Sequence, residues 1–221
     1  MQIENLKSII EALLAAAEQP LSVNHIFDLF TGDLKQPNKD DIRKALHELV
    51  EEYTGKGMEV KQVASGYRMQ VNPEFAPWVT RLLQQKPPRY SRALLETLAL
   101  IAYRQPITRG EIEAIRGVSV SSNIIKTLQE REWVKSLGHK DVPGKPSLYG
   151  TTSRFLDYFN LKSLNEMPTL SELKDLDQFH PELAFSELIE SAENIDENPP
   201  QASDQSEEEL VTDDSVESPL S

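Results

Sequence analysis

The pattern Gln-Pro-aliphatic-hydroxyl occurs twice in this chain, each time after an apolar run: AAEQPLS at 16–22 and AYRQPIT at 102–108. A residue that precedes proline avoids the α region, and proline has no N–H with which to continue a helix. A serine or threonine two residues later is well placed to cap a second helix. A sequence that writes this corner twice is built from two copies of one helical unit.

The flanking periodicities fill in each copy. Ile3, Leu6, Ile10, Leu13 and Ala17 recur at helical spacing, and Ile9, Leu14 and Ala16 widen the stripe. Gln19-Pro20 stops that helix and Ser22 caps the next, VNHIFDLF. A third, NKDDIRKALHELVEEY, turns Ile42, Leu46, Leu49 and Val50 inward. MEVKQV and YRMQV then alternate around Ala64-Ser65-Gly66, a hairpin pattern. PEFAPWVTRLL reads as a helix that closes this unit.

The second copy keeps the order. RALLETLALIAYR places Leu94, Leu98, Ile101 and Ala102 on one face, and Gln105-Pro106 ends it. Thr108 and Glu111 have the spacing of a capping box. SSNIIKTLQERE is a third helix, and WVKSLGHK with PSLYG forms a second hairpin around DVPGKP. The expected fold is mainly α with small β-hairpin wings. It consists of tandem winged-helix domains at 1–84 and 91–168, joined by a linker at 85–90 that Pro87 and Pro88 stiffen.

Charge separates the rest. From Asp175 to Ser221 there are 15 acidic residues and no Lys or Arg, so the chain's 36 acidic and 23 basic residues leave about +2 on 1–174. The net charge of −13 describes the tail. The segment 169–221 is expected to be acidic and mostly disordered, with one short amphipathic stretch at 181–193 through Leu183, Leu188 and Ile189. No cysteine is present, which excludes disulfides and the usual zinc-finger ligands, and four scattered histidines do not replace them. MQIENLKSII has no basic n-region, and ALLAAA is far too short to span a bilayer. A cytoplasmic protein without membrane contact is expected. No phosphate-binding loop, zincin or nucleophile-elbow motif is present. The reading is a non-enzyme without a cofactor or metal.

The strings LETLALIAYRQPITRGEIEAIRGV and GHKDVPGKPSLYGTTSRFLDYFNLKSLNEMP, 95–118 and 138–168, resemble the bacterial ScpB family, segregation and condensation protein B. The wing D-V-P-G-K-P-S-L-Y-G-T-T and the F-L-D-Y-F that follows carry most of the likeness; Lys145 stands where the family often has Arg. The resemblance is strong over 90–168, weaker over 1–84, and absent after about Leu170. It implies a dimeric, nucleoid-associated adaptor that pairs through its N-terminal domain. Its second domain would bind the kleisin ScpA, and through it an SMC ATPase, in chromosome condensation, segregation and cell division.

Candidate contact residues follow. The wide first-helix stripe offers Ile3, Leu6, Ile10 and Leu13 as a dimer seam. The rigid wing presents His139, Lys140, Pro143 and Lys145, either to a kleisin or to phosphate. Tyr103 and Tyr149 either pack inside or anchor a partner. Arg116 either pairs with a nearby carboxylate or meets the kleisin. The competing reading is a tandem winged-helix transcription regulator that places its third helices in the major groove. Those helices carry no excess of positive charge, which leaves DNA contact weak and non-specific, through Lys140 and Lys145.

Overall fold

The computed structural model describes residues 5–32, 36–84, 88–169 and 172. Ile3, part of the linker and nearly all of the acidic tail, with its expected stretch at 181–193, lie outside the described residues.

The first half runs α1 (Leu6–Ala16), α2 (Val23–Leu29), α3 (Lys39–Glu52), then a hairpin of β1 (Met58–Val63) and β2 (Gly66–Val71). A 3-10 turn at Pro73–Phe75 leads into α4 (Ala76–Leu83). The second half runs α5 (Arg92–Arg104), β3 (Ile107–Thr108), α6 (Arg109–Arg116) and α7 (Ser122–Glu130). Then come β4 (Val134–His139), β5 (Ser147–Thr151), α8 (Ser153–Tyr158) and a 3-10 turn at Leu164–Glu166. The described residues are mostly helical with small antiparallel sheets, as the periodicities require.

Helix ends follow the local chemistry. The Ser22 hydroxyl accepts the His25 N–H at 3.1 Å, and Ser91 accepts that of Leu94 at 3.3 Å. Thr108 and Glu111 form the full capping box. Gly117 ends α6 in the left-handed region at φ 66°, where glycine carries no Cβ penalty.

The repeated corner does more than stop a helix. The aliphatic residue after each proline turns inward and pairs its backbone with the returning strand of the hairpin. Leu21 donates to the Tyr67 carbonyl at 2.8 Å and accepts from its N–H at 2.9 Å. Ile107 pairs with Tyr149 in a three-stranded sheet ordered β3-β5-β4. Gly66 lets the first pairing close, because a Cβ there would lie 2.3 Å from the Leu21 carbonyl oxygen.

Each half has its own apolar cluster. In the first, Ile10, Leu14, Leu21, Ile26, Ile42, Leu46 and Leu49 interlock, with Leu6 and Leu13 packed against them. In the second, Leu98, Leu100, Ile101, Ile112, Val120, Leu128 and Trp133 do the same. The helix 76–83 departs from the expected closure. None of its residues is buried; Trp78 is 64% and Leu82 is 79% exposed. The three helices and the hairpin already enclose the first core, so nothing remains for this stripe to cover.

The halves meet at the tip of the first hairpin. The buried Asp157 carboxylate on α8 accepts the Ser65 N–H at 3.0 Å and its hydroxyl at 2.6 Å. Ala64 donates to the Leu161 carbonyl at 3.0 Å, and Arg68 to the Asn160 side chain at 2.8 Å. Replacing Asp157 by Ala leaves the Ser65 N–H without its acceptor. It should cost about 1–3 kcal/mol in urea denaturation and speed proteolysis near residues 84–90. Unchanged cleavage there would mean that other contacts hold the halves together.

Candidate functional site

The surface features of the second half divide into a polar wing and an apolar groove. In the wing, β4 and β5 pair from Val134↔Thr151 to His139↔Ser147, with a register shift between Ser136 and Gly138. The loop beyond is braced by its own backbone. Lys140 donates to the Pro146 carbonyl at 2.9 Å, and Lys145 to that of Val142 at 2.9 Å. His139, Lys140, Pro143 and Lys145 are all exposed on it.

Lys140 is tied to the helical layer. Its ammonium donates to Glu111 Oε1 at 2.6 Å, while Glu111 Oε2 accepts the Thr108 N–H and hydroxyl, both at 2.7 Å. One carboxylate thus caps α6 and tethers the wing. Burial pushes the Glu111 carboxyl up, but the Lys140 ammonium and the two Thr108 donors together outweigh it and hold the group below the ordinary carboxylate range. Glu113 is held low as well, first by the Val120 N–H at 2.8 Å and then by Arg109 at 3.0 Å.

The groove lies between α5 and α8 and holds about 530 Å³. Leu95, Ala99 and Tyr103 line it from α5, Phe155 and Phe159 from the other side, and Met167 with Pro168 form its rim. Its only charged lining residue among those described is Glu166, whose carboxylate accepts the Lys162 N–H at 2.7 Å. The Tyr103 hydroxyl donates to the Pro168 carbonyl at 2.7 Å, which fastens the rim segment to α5. Burial, then the nearby Glu172, pushes the Tyr103 hydroxyl up.

The residues singled out from sequence therefore do not converge. The four wing residues cluster, and Tyr103 belongs to the groove instead. Tyr149 is half-buried on β5 and packs against the second core. Arg116 is turned inward: its side chain is 6% exposed and donates to Glu96 Oε2 at 2.8 Å, so it offers no surface to a kleisin. From the exposed side Arg92 donates to the other oxygen of the same carboxylate, Glu96 Oε1, at 2.6 Å. Ile10 is 0% exposed and offers no surface to a second copy, while Leu6 and Leu13 are half-buried against the same core.

Sequence reasoning missed the groove. Its signal was present: RALLETLALIAYR is apolar on more than one face, with Leu95, Ala99 and Tyr103 forming a second stripe beside Leu94, Leu98 and Ile101. A helix apolar nearly all round needs cover on both sides.

The Glu111 tether predicts a pH dependence. Its folded-state pKa is depressed, so its stabilisation is present above the unfolded value of about 4.3 and is lost as pH falls through the folded value. Thermal scans of the native chain and Glu111→Gln should differ at neutral pH and draw together as the pH falls below the unfolded value of about 4.3 and through the lower folded one. A gap that persists into stronger acid would place the effect elsewhere.

The chain is similar to known proteins. A family model for the segregation and condensation complex subunit ScpB matches residues 8–170. The segregation and condensation protein B homolog of Coxiella burnetii is 52% identical over 197 residues, covering 87% of this chain and 93% of that protein. Among solved structures, ScpB from Mycobacterium tuberculosis is 31% identical, covering 73% of this chain and 99% of its own, with a TM-score of 0.33. A dimer of an ScpB N-terminal domain complexed with an ScpA peptide is 20% identical, covering 39% of this chain and 100% of that one, also with a TM-score of 0.33.

Proposed function

This chain belongs to the ScpB family of segregation and condensation complex subunits, and on that premise we propose that it is a non-catalytic, dimeric adaptor that captures the kleisin ScpA in a bacterial SMC complex. Through the kleisin it engages the SMC ATPase indirectly and acts on chromosome condensation and segregation in the cytoplasm, at the nucleoid. The two halves, 1–84 and 91–168, act as winged-helix domains in this reading, the first for pairing and the second for the kleisin. The family match across 8–170 carries it.

The apolar groove on the second half supports the assignment of the kleisin surface. A segment that inserts side chains between α5 and α8 buries apolar area against Leu95, Ala99, Phe159 and Met167, at about 25 cal/mol per Å². The braced wing is a second, polar edge to that domain. Charges on the third helices oppose the regulator reading. Lys126 faces Glu130 at 3.6 Å on α7, and Arg43 faces Asp40 at 2.5 Å on α3. Cations already beside carboxylates are poor candidates for phosphate neutralisation.

Pairing falls to α4 rather than to the α1 stripe. Phe75, Trp78 and Leu82 recur at helical spacing and are exposed, and a second copy would bury them on both sides of a two-fold axis. Light scattering should therefore show the native chain as a dimer and the Trp78→Lys, Leu82→Lys variant as a folded monomer. A variant that keeps the dimer mass would move the seam to another face.

Kleisin capture is tested by titrating the central ScpA segment into the full chain. Binding through an apolar groove should survive about 0.5 M salt, where phosphate-driven affinity is largely gone. Ala99→Glu, which places a charge in the groove, should abolish it, and Lys140→Glu with Lys145→Glu should leave it nearly unchanged. Salt-sensitive, sequence-specific DNA binding without kleisin capture would instead establish the regulator.

A further inference from the structure

The groove between α5 and α8 has a candidate occupant within the chain itself. The described chain leaves the second half along the groove's rim. Glu166, Met167 and Pro168 line it, Tyr103 holds the Pro168 carbonyl at 2.7 Å, and the next residue is Thr169. The Thr169 N–H donates to the Glu172 carboxylate at 2.6 Å and the Glu172 N–H returns to the Thr169 hydroxyl at 3.4 Å, a reciprocal capping-box pairing. Everything C-terminal to this point is therefore tethered to the mouth of an apolar groove.

That continuation is acidic, with 15 carboxylates and no basic residue from 175 onward. Within it the string LAFSELI at 183–189 concentrates Leu183, Phe185, Leu188 and Ile189. On a helical period Phe185, Leu188 and Ile189 share one face, and Glu187 and Glu190 fall on the other. This pattern matches a groove with apolar walls and one charged residue. Phe185 lies sixteen positions beyond Thr169, a reach of about 50 Å at full extension.

We propose that segment 181–193 docks in the groove between α5 and α8 and competes there with the segment of the partner. Tethering gives the docked segment an effective concentration on the order of millimolar, so even weak intrinsic affinity suffices to occupy the site. A partner must displace it, and the apparent affinity for that partner falls by the fraction of groove already filled. The competition rests on the kleisin reading; the docking does not.

The absence of cysteine from the chain makes the test direct. Ala99→Cys, on the groove wall, is combined in the full-length protein with Ile189→Cys, and in a second protein with Ser215→Cys. Circular dichroism verifies that both fold. Under mild oxidation, docking predicts an intramolecular disulfide that forms about tenfold faster in the Ile189→Cys chain than in the Ser215→Cys chain, whereas the longer tether to Ser215 accounts by itself for only about three- to fourfold. Adding Phe185→Asp and Leu188→Asp should reduce the difference to about three- to fourfold, the part due to tether length. A difference no larger than the roughly three- to fourfold set by tether length, no disulfide, or disulfides only in species of doubled mass would overturn the proposal, the last by identifying a second copy as the occupant. The competition is read separately, by titrating the central ScpA segment into the full-length Phe185→Asp, Leu188→Asp variant. Tighter binding than to the native chain supports it, and equal binding overturns it. Failure of both proteins to bind ScpA would count against the kleisin reading and leave the disulfide result standing.

Discussion

Each half of this molecule depends on one backbone pairing, that between the aliphatic residue of a Gln-Pro corner and the returning strand of a hairpin. Leu21 with Tyr67, and Ile107 with Tyr149, fasten the helical layer to the sheet. Proline ends the helix, the next residue is extended, and its apolar side chain is buried on the same step. Burying one such side chain contributes about 1.5–3 kcal/mol, and the hydrogen bonds fix where that burial occurs. The capped second helix starts from the residue that follows, so its direction is inherited from the pairing.

The two halves then diverge in what they leave exposed. The first encloses its core with three helices and a hairpin and sets α4 outside it, with Trp78 and Leu82 facing solvent. The second continues past its hairpin into α8, which covers Trp133 with Tyr158 and Phe159 at ring separations of 4.5 and 5.6 Å. Together with α5, that added helix forms the groove. A duplicated architecture thus presents two different apolar surfaces, one on each half. That division suits the adaptor role proposed above, in which one surface would hold a second copy and the other a partner segment.

Charge organises the same surface. The Glu96 carboxylate lies between Arg92 and Arg116, and Glu111 lies between Thr108 and Lys140. In both cases a cation that looked free in the sequence is paired with a carboxylate of the chain itself, a buried one for Arg116 and a part-exposed one for Lys140. Burying Arg116 against Glu96 removes a charge from the surface, and losing one partner of such a pair would leave the other buried and uncompensated. The wing consequently carries less free positive charge than its composition implies, which is unfavourable for phosphate binding.

The sequence by itself determined the helices, their caps and the duplication, because these rest on local rules: proline excludes its predecessor from the α region, a hydroxyl caps the helix behind it, and alternation marks a hairpin. It also determined the resemblance to the ScpB family, which the family match bears out. It could not separate a stripe that faces a core from one that faces solvent, so it read the first-helix stripe as a seam for a second copy and α4 as a closing helix, although the first packs on the core and the second does not. Nor could it show that Tyr103 joins a groove while Arg116 turns inward. The two glutamines of the repeated corner make the reason plain. Gln105 stays within its own half, accepting the Thr151 N–H at 2.7 Å and donating to the Ala102 carbonyl at 3.2 Å. Gln19, in the same local sequence, accepts from Arg154 of the other half. Local sequence dictates backbone conformation, but the partner of a side chain is whatever the rest of the chain brings within about 3 Å of it, and only the tertiary structure decides that.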